Sequence, residues 1–245
     1  MGVMLVKVKR ALKRQGLGYV VARSAIRIGD WFRICRALRK QPRFENVDSL
    51  LDFSFGKEGA FIRPFQVRSE IRKMLQVVQQ HRPARVMEIG TANGGTLFLW
   101  TRVASETAQL ISLDLPAGKF GDGYPAWKAP LYRSFALPKQ KIDLLRDDSH
   151  SKRALEAIKA MLHNQKLDYL FIDGDHSYEG TKLDFEMYSP LVRQGGIVGF
   201  HDIADHTDKS CQVRRFWLEV KDRYSSNEFI DSETQGWGGL GWVTV

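Results

Sequence analysis

Three short runs in the second half of this 245-residue chain gather acids and imidazoles in patterns that suit proton transfer and cation binding. The first is Phe171-Ile172-Asp173-Gly174-Asp175-His176-Ser177, where an apolar strand pattern delivers two acids and a histidine. The second is Gly199-Phe200-His201-Asp202, and the third is Arg146-Asp147-Asp148-Ser149-His150. If Asp173 and Asp202 end neighbouring strands, their carboxylates can share one divalent cation, since oxygen donors suit magnesium, calcium or manganese. His176, three residues after Asp173, can then take a proton from a hydroxyl held at that cation. The competing reading is a charged strand edge in which Asp175 and Ser177 cap a helix. His150 reads as a helix-start residue.

Chemistry of this kind needs a ligand beside it, and one stretch upstream is built to hold one. Val86-Met87-Glu88-Ile89-Gly90-Thr91-Ala92-Asn93-Gly94-Gly95-Thr96 reads as a buried strand running into a glycine turn that opens a helix. Gly90, Gly94 and Gly95 are expected to let the backbone approach a ligand closely. The free N–H groups of the helix start favour a polar ligand group. Leu110-Ile111-Ser112-Leu113 ends at Asp114, one βαβ unit on, where a carboxylate suits a ribose diol. Asp148 and Ser149 are placed to meet an adenine edge. The glycines run G-x-x-x-G-G, whereas a dinucleotide fingerprint runs G-x-G-x-x-G, which argues against a nicotinamide oxidoreductase.

The elements that must position these residues alternate. Strands are expected near 85–89, 110–114, 142–145, 168–173 and 196–200, with helices over 66–80, 96–103, 152–163, 179–191 and 213–224. Gly195-Gly196 is expected to turn into the fifth strand, and 228–231 with 240–245 to close the sheet as an antiparallel pair. The fold class is therefore α/β: a Rossmann-like, doubly wound, mainly parallel seven-stranded sheet with an antiparallel C-terminal strand, behind a helical N-terminal extension. The organisation read from the sequence is an extension over 1–45, a linker over 46–64 and the main domain over 65–245. The segment Pro116 to Pro138, with Phe120, Tyr124, Trp127, Tyr132 and Phe135, is too long for a plain connection and suggests a substrate lid.

Charge is unevenly placed. Residues 1–45 hold 12 Lys/Arg and 2 Asp/Glu, a net +10, and the other 200 hold 25 and 26, a net −1. The main domain is thus near neutral, which argues against a nucleic-acid partner. The basic extension, read as helices over 1–15 and about 19–40, suits a cap, an oligomerisation arm, or contact with an anionic membrane surface or acidic partner through residues 1–40. Cys35 and Cys211 have neither metal-ligand nor disulfide-framework spacing. With no membrane-span-length apolar run and no secretory signal, a cytoplasmic location, with or without peripheral membrane contact, is expected.

The run E-I-G-T-A-N-G-G-T resembles motif I of class I S-adenosylmethionine-dependent methyltransferases. F-I-D-G-D-H-S-Y-E-G, then D-F-E-M-Y-S-P-L-V-R-Q-G-G-I-V-G-F-H-D, is similar to one branch of them. That branch holds the macrocin- and mycinamicin-type sugar O-methyltransferases, rhamnosyl O-methyltransferases and the cephalosporin hydroxylase component. The resemblance covers roughly 65–245. It implies a cofactor, S-adenosylmethionine, held by Glu88, Gly90, Thr91, Asn93, Gly94, Gly95, Thr96, Asp114, Asp148, Ser149 and Asp173, with Glu88 near the methionine end. It also implies Asp173 as first metal acid and His176 as general base, with His201-Asp202 standing where the sugar enzymes carry Glu-Asp. The implied metal set is Asp173, Asp202 and His201, for Mg2+ or another divalent cation, and the acceptor is a small molecule with a sugar or glycoside hydroxyl. An accessory protein that binds the cofactor without methyl transfer is the alternative.

Overall fold

The structure, a computed structural model, describes residues 44–116 and 123–245, which belong to one compact unit. The two helices expected before residue 41, and Phe120 of the expected lid, lie outside the described residues. Where loop was expected over 46–64, a helix forms instead: α1 (Val47–Phe55). Its signal is short. Asn46 accepts from the Ser49 N–H while the Ser49 hydroxyl accepts from the Asn46 N–H, a reciprocal cap. Only nine residues follow, and Leu50, Leu51 and Phe53 form the buried stripe.

The chain continues through α2 (Arg68–His81), β1 (Arg85–Ile89), α3 (Gly95–Val103), β2 (Gln109–Asp114), α4 (Ala129–Arg133), β3 (Lys141–Arg146) and α5 (Lys152–Leu162). It then forms β4 (Leu167–Ile172), α6 (Tyr178–Tyr188), β5 (Val192–His201), α7 (Val213–Lys221), β6 (Ser225–Phe229) and β7 (Leu240–Thr244). The seven strands form one sheet in the order β3-β2-β1-β4-β5-β7-β6. β7 runs antiparallel to both its neighbours, and the other pairs are parallel. β1 lies between β2 and β4, so the order reverses there and a crevice opens beyond the carboxyl ends of these strands.

β5 starts earlier than the sequence suggests. Gly195 and Gly196 do not precede the strand; they lie inside it, where the pairing with β4 shifts register between Leu167 and Tyr169. Gly195 has φ +71°, a conformation that costs glycine little.

α3 was expected to bury one stripe. All its residues except Arg102 are buried, because its outer face is covered too. Phe98 packs edge-on to Phe135 with ring centroids 5.5 Å apart, and Phe53 of α1 lies 5.7 Å from Phe98. Tyr124, Leu131, Tyr132 and Phe135 are fully buried, so the part of the expected lid from 123 to 138 is a packed cover over α3. Trp127, by contrast, is 47% exposed.

Candidate active site

A cavity of about 770 Å³ lies at the ends of β1, β2, β4 and β5. Gly90, Thr91, Asn93, Gly95, Thr96, Asp114, Asp148, Ser149, Asp173, His176, His201 and Asp202 all line it, so nearly every residue singled out in the sequence converges on one space. Glu88 and Gly94 do not.

Glu88 is fully buried and accepts a 2.9 Å hydrogen bond from the Trp100 indole. Burial pushes its carboxyl up to about 8, against the opposing pull of the nearby Thr96, Thr91 and Trp100 side chains. The strand's alternation explains the misplacement. Ile89 faces the cavity, so Glu88 faces the other side of the sheet, where Trp100 packs against Tyr169 and Phe171.

Gly90 and Gly95 line the cavity, and all three glycines also make room for the protein's own chain. A Cβ on Gly94 would lie 2.6 Å from the Tyr132 ring, and Tyr132 donates its hydroxyl to the Ala92 carbonyl at 2.7 Å. A Cβ on Gly95 would come within 2.5 Å of the Ile62 carbonyl oxygen. On Gly90 (φ +88°) it would strike the Asp173 backbone carbonyl. These positions let other parts of the chain close over the turn, and the packed turn in turn shapes the cavity.

Asp114 accepts from the Ala92 N–H through Oδ2 and from the Leu115 N–H through Oδ1, both at 2.8 Å. Burial raises its pKa, and those backbone donors partly offset the rise. A carboxylate offers about four acceptor positions, so acceptor capacity remains for a diol hydroxyl. Asp148 accepts from the His150 N–H at 2.9 Å, the local turn expected of a helix start. His150 extends to the buried Asp184, Nε2 to Oδ1 3.3 Å. The attraction of that carboxylate outweighs burial and holds the imidazole up at about 9, while Nε2 also lies 3.2 Å from the Gly180 carbonyl oxygen.

The acid–imidazole cluster forms where β4 and β5 end. His201 Nδ1 lies 3.1 Å from Asp173 Oδ1 and 3.3 Å from Asp202 Oδ2. His176 Nε2 lies 3.5 Å and 3.4 Å from the same two oxygens. Burial alone would lower both imidazoles and raise both acids. The mutual charges win: His201 is held well above its ordinary value, His176 is raised, and Asp173 and Asp202 are lowered. Asp175 stands apart. It accepts from the Ser177 N–H at 2.8 Å, while Ser177 caps α6, so these two play the capping part that was the alternative.

Several contributors escaped the sequence reading. Gln66, 5% exposed, donates Nε2 to Asp173 Oδ2 at 2.9 Å. His206 Nε2 and the Gly238 N–H each lie 3.1 Å from Asp202 Oδ1. Glu70 is fully buried and accepts from the Asp231 N–H, the Gln235 side chain and the Gly239 N–H, which holds the loop carrying Gly238. Glu70 had a signal: it occupies the buried register of α2 with Met74 and Val78, where an acid requires partners. Gln66 had none nearby, since its partner is 107 residues away.

Residues 87–203 match a family model described as a methyltransferase domain. Two curated relatives are themselves uncharacterised. R132 of Acanthamoeba polyphaga mimivirus is 27% identical over 150 residues, 61% of this chain and 65% of that protein. Protein y4gI of Sinorhizobium fredii is 25% identical over 147 residues, 59% of this chain and 16% of that protein. The chain thus spans less than two thirds of the length of either. Among solved structures, it is similar to an O-methyltransferase from Bacillus cereus in complex with SAH, with TM-score 0.54 and 19% identity, covering 83% of this chain and 92% of that one. The O-methyltransferase TomG from Streptomyces achromogenes, in complex with SAM, gives TM-score 0.54 at 16% identity over 83% and 90% of the two chains. Likeness at this identity establishes the fold, a Rossmann-like one shared with these O-methyltransferase structures, and residues 87–203 are the segment that matches the methyltransferase-domain model.

Proposed function

We propose that this chain is an S-adenosylmethionine-dependent O-methyltransferase acting on a hydroxyl of a sugar, glycoside or related small molecule, with a divalent cation assisting. The observation that carries the reading is one cavity faced both by the glycine turn with Asp114 and by the Asp173–His176–Asp202 cluster. When bound, S-adenosylmethionine supplies an electrophilic methyl group on a sulfonium centre.

The residues present fit that cofactor. Asp114 lines the cavity and retains acceptor capacity for a ribose hydroxyl beyond its backbone donors. Asp148 and Ser149 lie on the cavity wall for an adenine edge. Gln66 Oε1 is buried with no hydrogen-bond partner among the described residues, an acceptor suited to an ammonium group. The opening N–H groups of α3 suit a carboxylate. Glu88, turned into the core, is not assigned to the ligand.

Asp173 Oδ1 and Asp202 Oδ2 fit a divalent cation, which would stabilise the acceptor's developing alkoxide. His176, whose Nε2 stands 3.5 Å and 3.4 Å from those two oxygens, is the base beside the cation, and with those oxygens engaged by the ion its Nε2 is left to take the acceptor's proton. Phe65 and Trp237, 66% and 44% exposed, flank the cavity and offer flat apolar faces to a sugar ring. Residues 1–40 suit an anionic surface, an acidic partner or a second copy of the chain, and salt-sensitive co-sedimentation with acidic vesicles that is lost on deleting them supports the first.

The deciding experiment incubates the protein with methyl-labelled S-adenosylmethionine and a panel of glycosides and phenols, read by mass spectrometry. A labelled glycoside with S-adenosylhomocysteine released in equal amount supports the reading. Cofactor binding without labelled product on any acceptor would favour the accessory role.

A further inference from the structure

We propose that Asp173, His201 and Asp202 form a mixed nitrogen–oxygen site for a borderline transition-metal dication of the zinc and cobalt type, in preference to magnesium. The inference rests on the reading above that a cation serves this cavity, and it concerns which cation the donors select.

The first argument is the direction of the carboxylates. Each has one oxygen tied from outside: Asp173 Oδ2 by Gln66 Nε2 at 2.9 Å, and Asp202 Oδ1 by the Gly238 N–H at 3.1 Å. The other oxygen of each, Asp173 Oδ1 and Asp202 Oδ2, turns toward the same imidazole nitrogen. Outer hydrogen bonds that orient inner donors in this way are characteristic of built metal sites.

The second argument is the imidazole. His201 is 4% exposed, and its Nε2 has no partner among the described residues, so the ring's polar interactions are all made through Nδ1. The separations of 3.1 Å and 3.3 Å between Nδ1 and the two oxygens match the edges of a coordination polyhedron whose bonds are roughly 2.0–2.2 Å. One donor atom from each of the three residues falls within 4.8 Å of the others.

The third argument is backbone strain. Asp202 is held at φ +63°, a left-handed conformation that aspartate adopts more readily than most residues with a side chain, and such positions cluster at functional sites.

Donor chemistry then selects the ion. Magnesium takes oxygen ligands and near-ideal octahedral geometry, whereas imidazole suits zinc, copper, iron and nickel, and Co2+ serves as the spectroscopic probe of such a site. His176 stays outside the set as a base, facing the same two oxygens from 3.5 Å and 3.4 Å.

The test is cobalt titration of the metal-stripped full-length protein, followed by visible absorption, with S-adenosylhomocysteine binding measured by calorimetry on the same stripped sample. Saturation at one Co2+ per chain is expected, with displacement by Zn2+ and none by a hundredfold excess of Mg2+. His201→Ala should weaken Co2+ at least about 10–100-fold, the range seen even for outer partners. His201→Asp, which keeps a short donor, should move the preference toward Mg2+. Equal affinity for Mg2+ and Co2+, no Co2+ site, or a Co2+ site unmoved by His201→Ala would each overturn the proposal. S-adenosylhomocysteine binding separates the two readings, because its loss with the Co2+ site intact defeats the cofactor assignment alone.

Discussion

Gln66 holds Asp173 across 107 residues of sequence, through a 2.9 Å bond from Nε2 to Oδ2. The segment before α2 thereby sets the rotation of the acid that ends β4. Gln66→Ala should leave the fold intact while Asp173 loses its outer partner. The expected outcome is a loss of about 10–100-fold in metal affinity or kcat/KM, with far-UV circular dichroism unchanged. Full activity in this variant would remove Gln66 from the site.

Glu70 performs the equivalent task for Asp202, at one remove, by holding the loop that carries Gly238. Its three donors are the Asp231 N–H, the Gln235 side chain and the Gly239 N–H. Glu70→Ala strands these donors in a buried setting. We expect a loss of roughly 3–5 kcal/mol in urea unfolding. A change under about 1 kcal/mol would show that water replaces the carboxylate there.

Asp114 is the acid assigned to the ribose. Asp114→Ala should weaken S-adenosylhomocysteine binding by roughly 1.5–3 kcal/mol, the scale of hydrogen bonds to a charged group. Calorimetry checks this, and undiminished affinity would place the ribose elsewhere.

His176 is assigned as base. His176→Ala should lower kcat by about 10²–10⁴-fold. Cofactor affinity should be unchanged, since the group acts on the acceptor. A variant with wild-type kcat would require another base.

The His150–Asp184 pair makes stability depend on pH. Asp184 holds the folded imidazole up at about 9, above its ordinary 6.5. A group raised on folding binds its proton more tightly in the native state, so the gain is complete below about pH 6.5 and lost as pH climbs through 9. The Tm difference between wild type and His150→Gln should therefore be larger at pH 6 than at pH 10. An equal difference at both would show that the pair does not titrate as a linked unit.

The sequence by itself determined the features written in short-range order. Alternating apolar runs and helical stripes placed β1 to β4, α3 and α5 within a few residues, whereas α4 lies in the stretch read as a lid. The glycine run after β1 and the acids after β2, β4 and β5 identified which strand ends matter. All of these follow from backbone geometry and from side-chain periods of 2 and 3.6 residues, which neighbouring residues settle among themselves.

Tertiary structure decided the rest, because packing pairs residues that no local period connects. Gly94 makes room for Tyr132, 38 positions away, and Gly90 for the Asp173 carbonyl, neither of which adjoins it in sequence. Glu88 sits on the strand as expected, yet whether it met ligand or core depended on which face Trp100 would fill. Gln66, His206 and Gly238 lie in loops without a periodic signature, and they became part of the site only when the sheet order brought β1, β4 and β5 side by side. A buried carboxylate must find donors, and the chain supplies them from wherever folding leaves a backbone or side-chain N–H within reach.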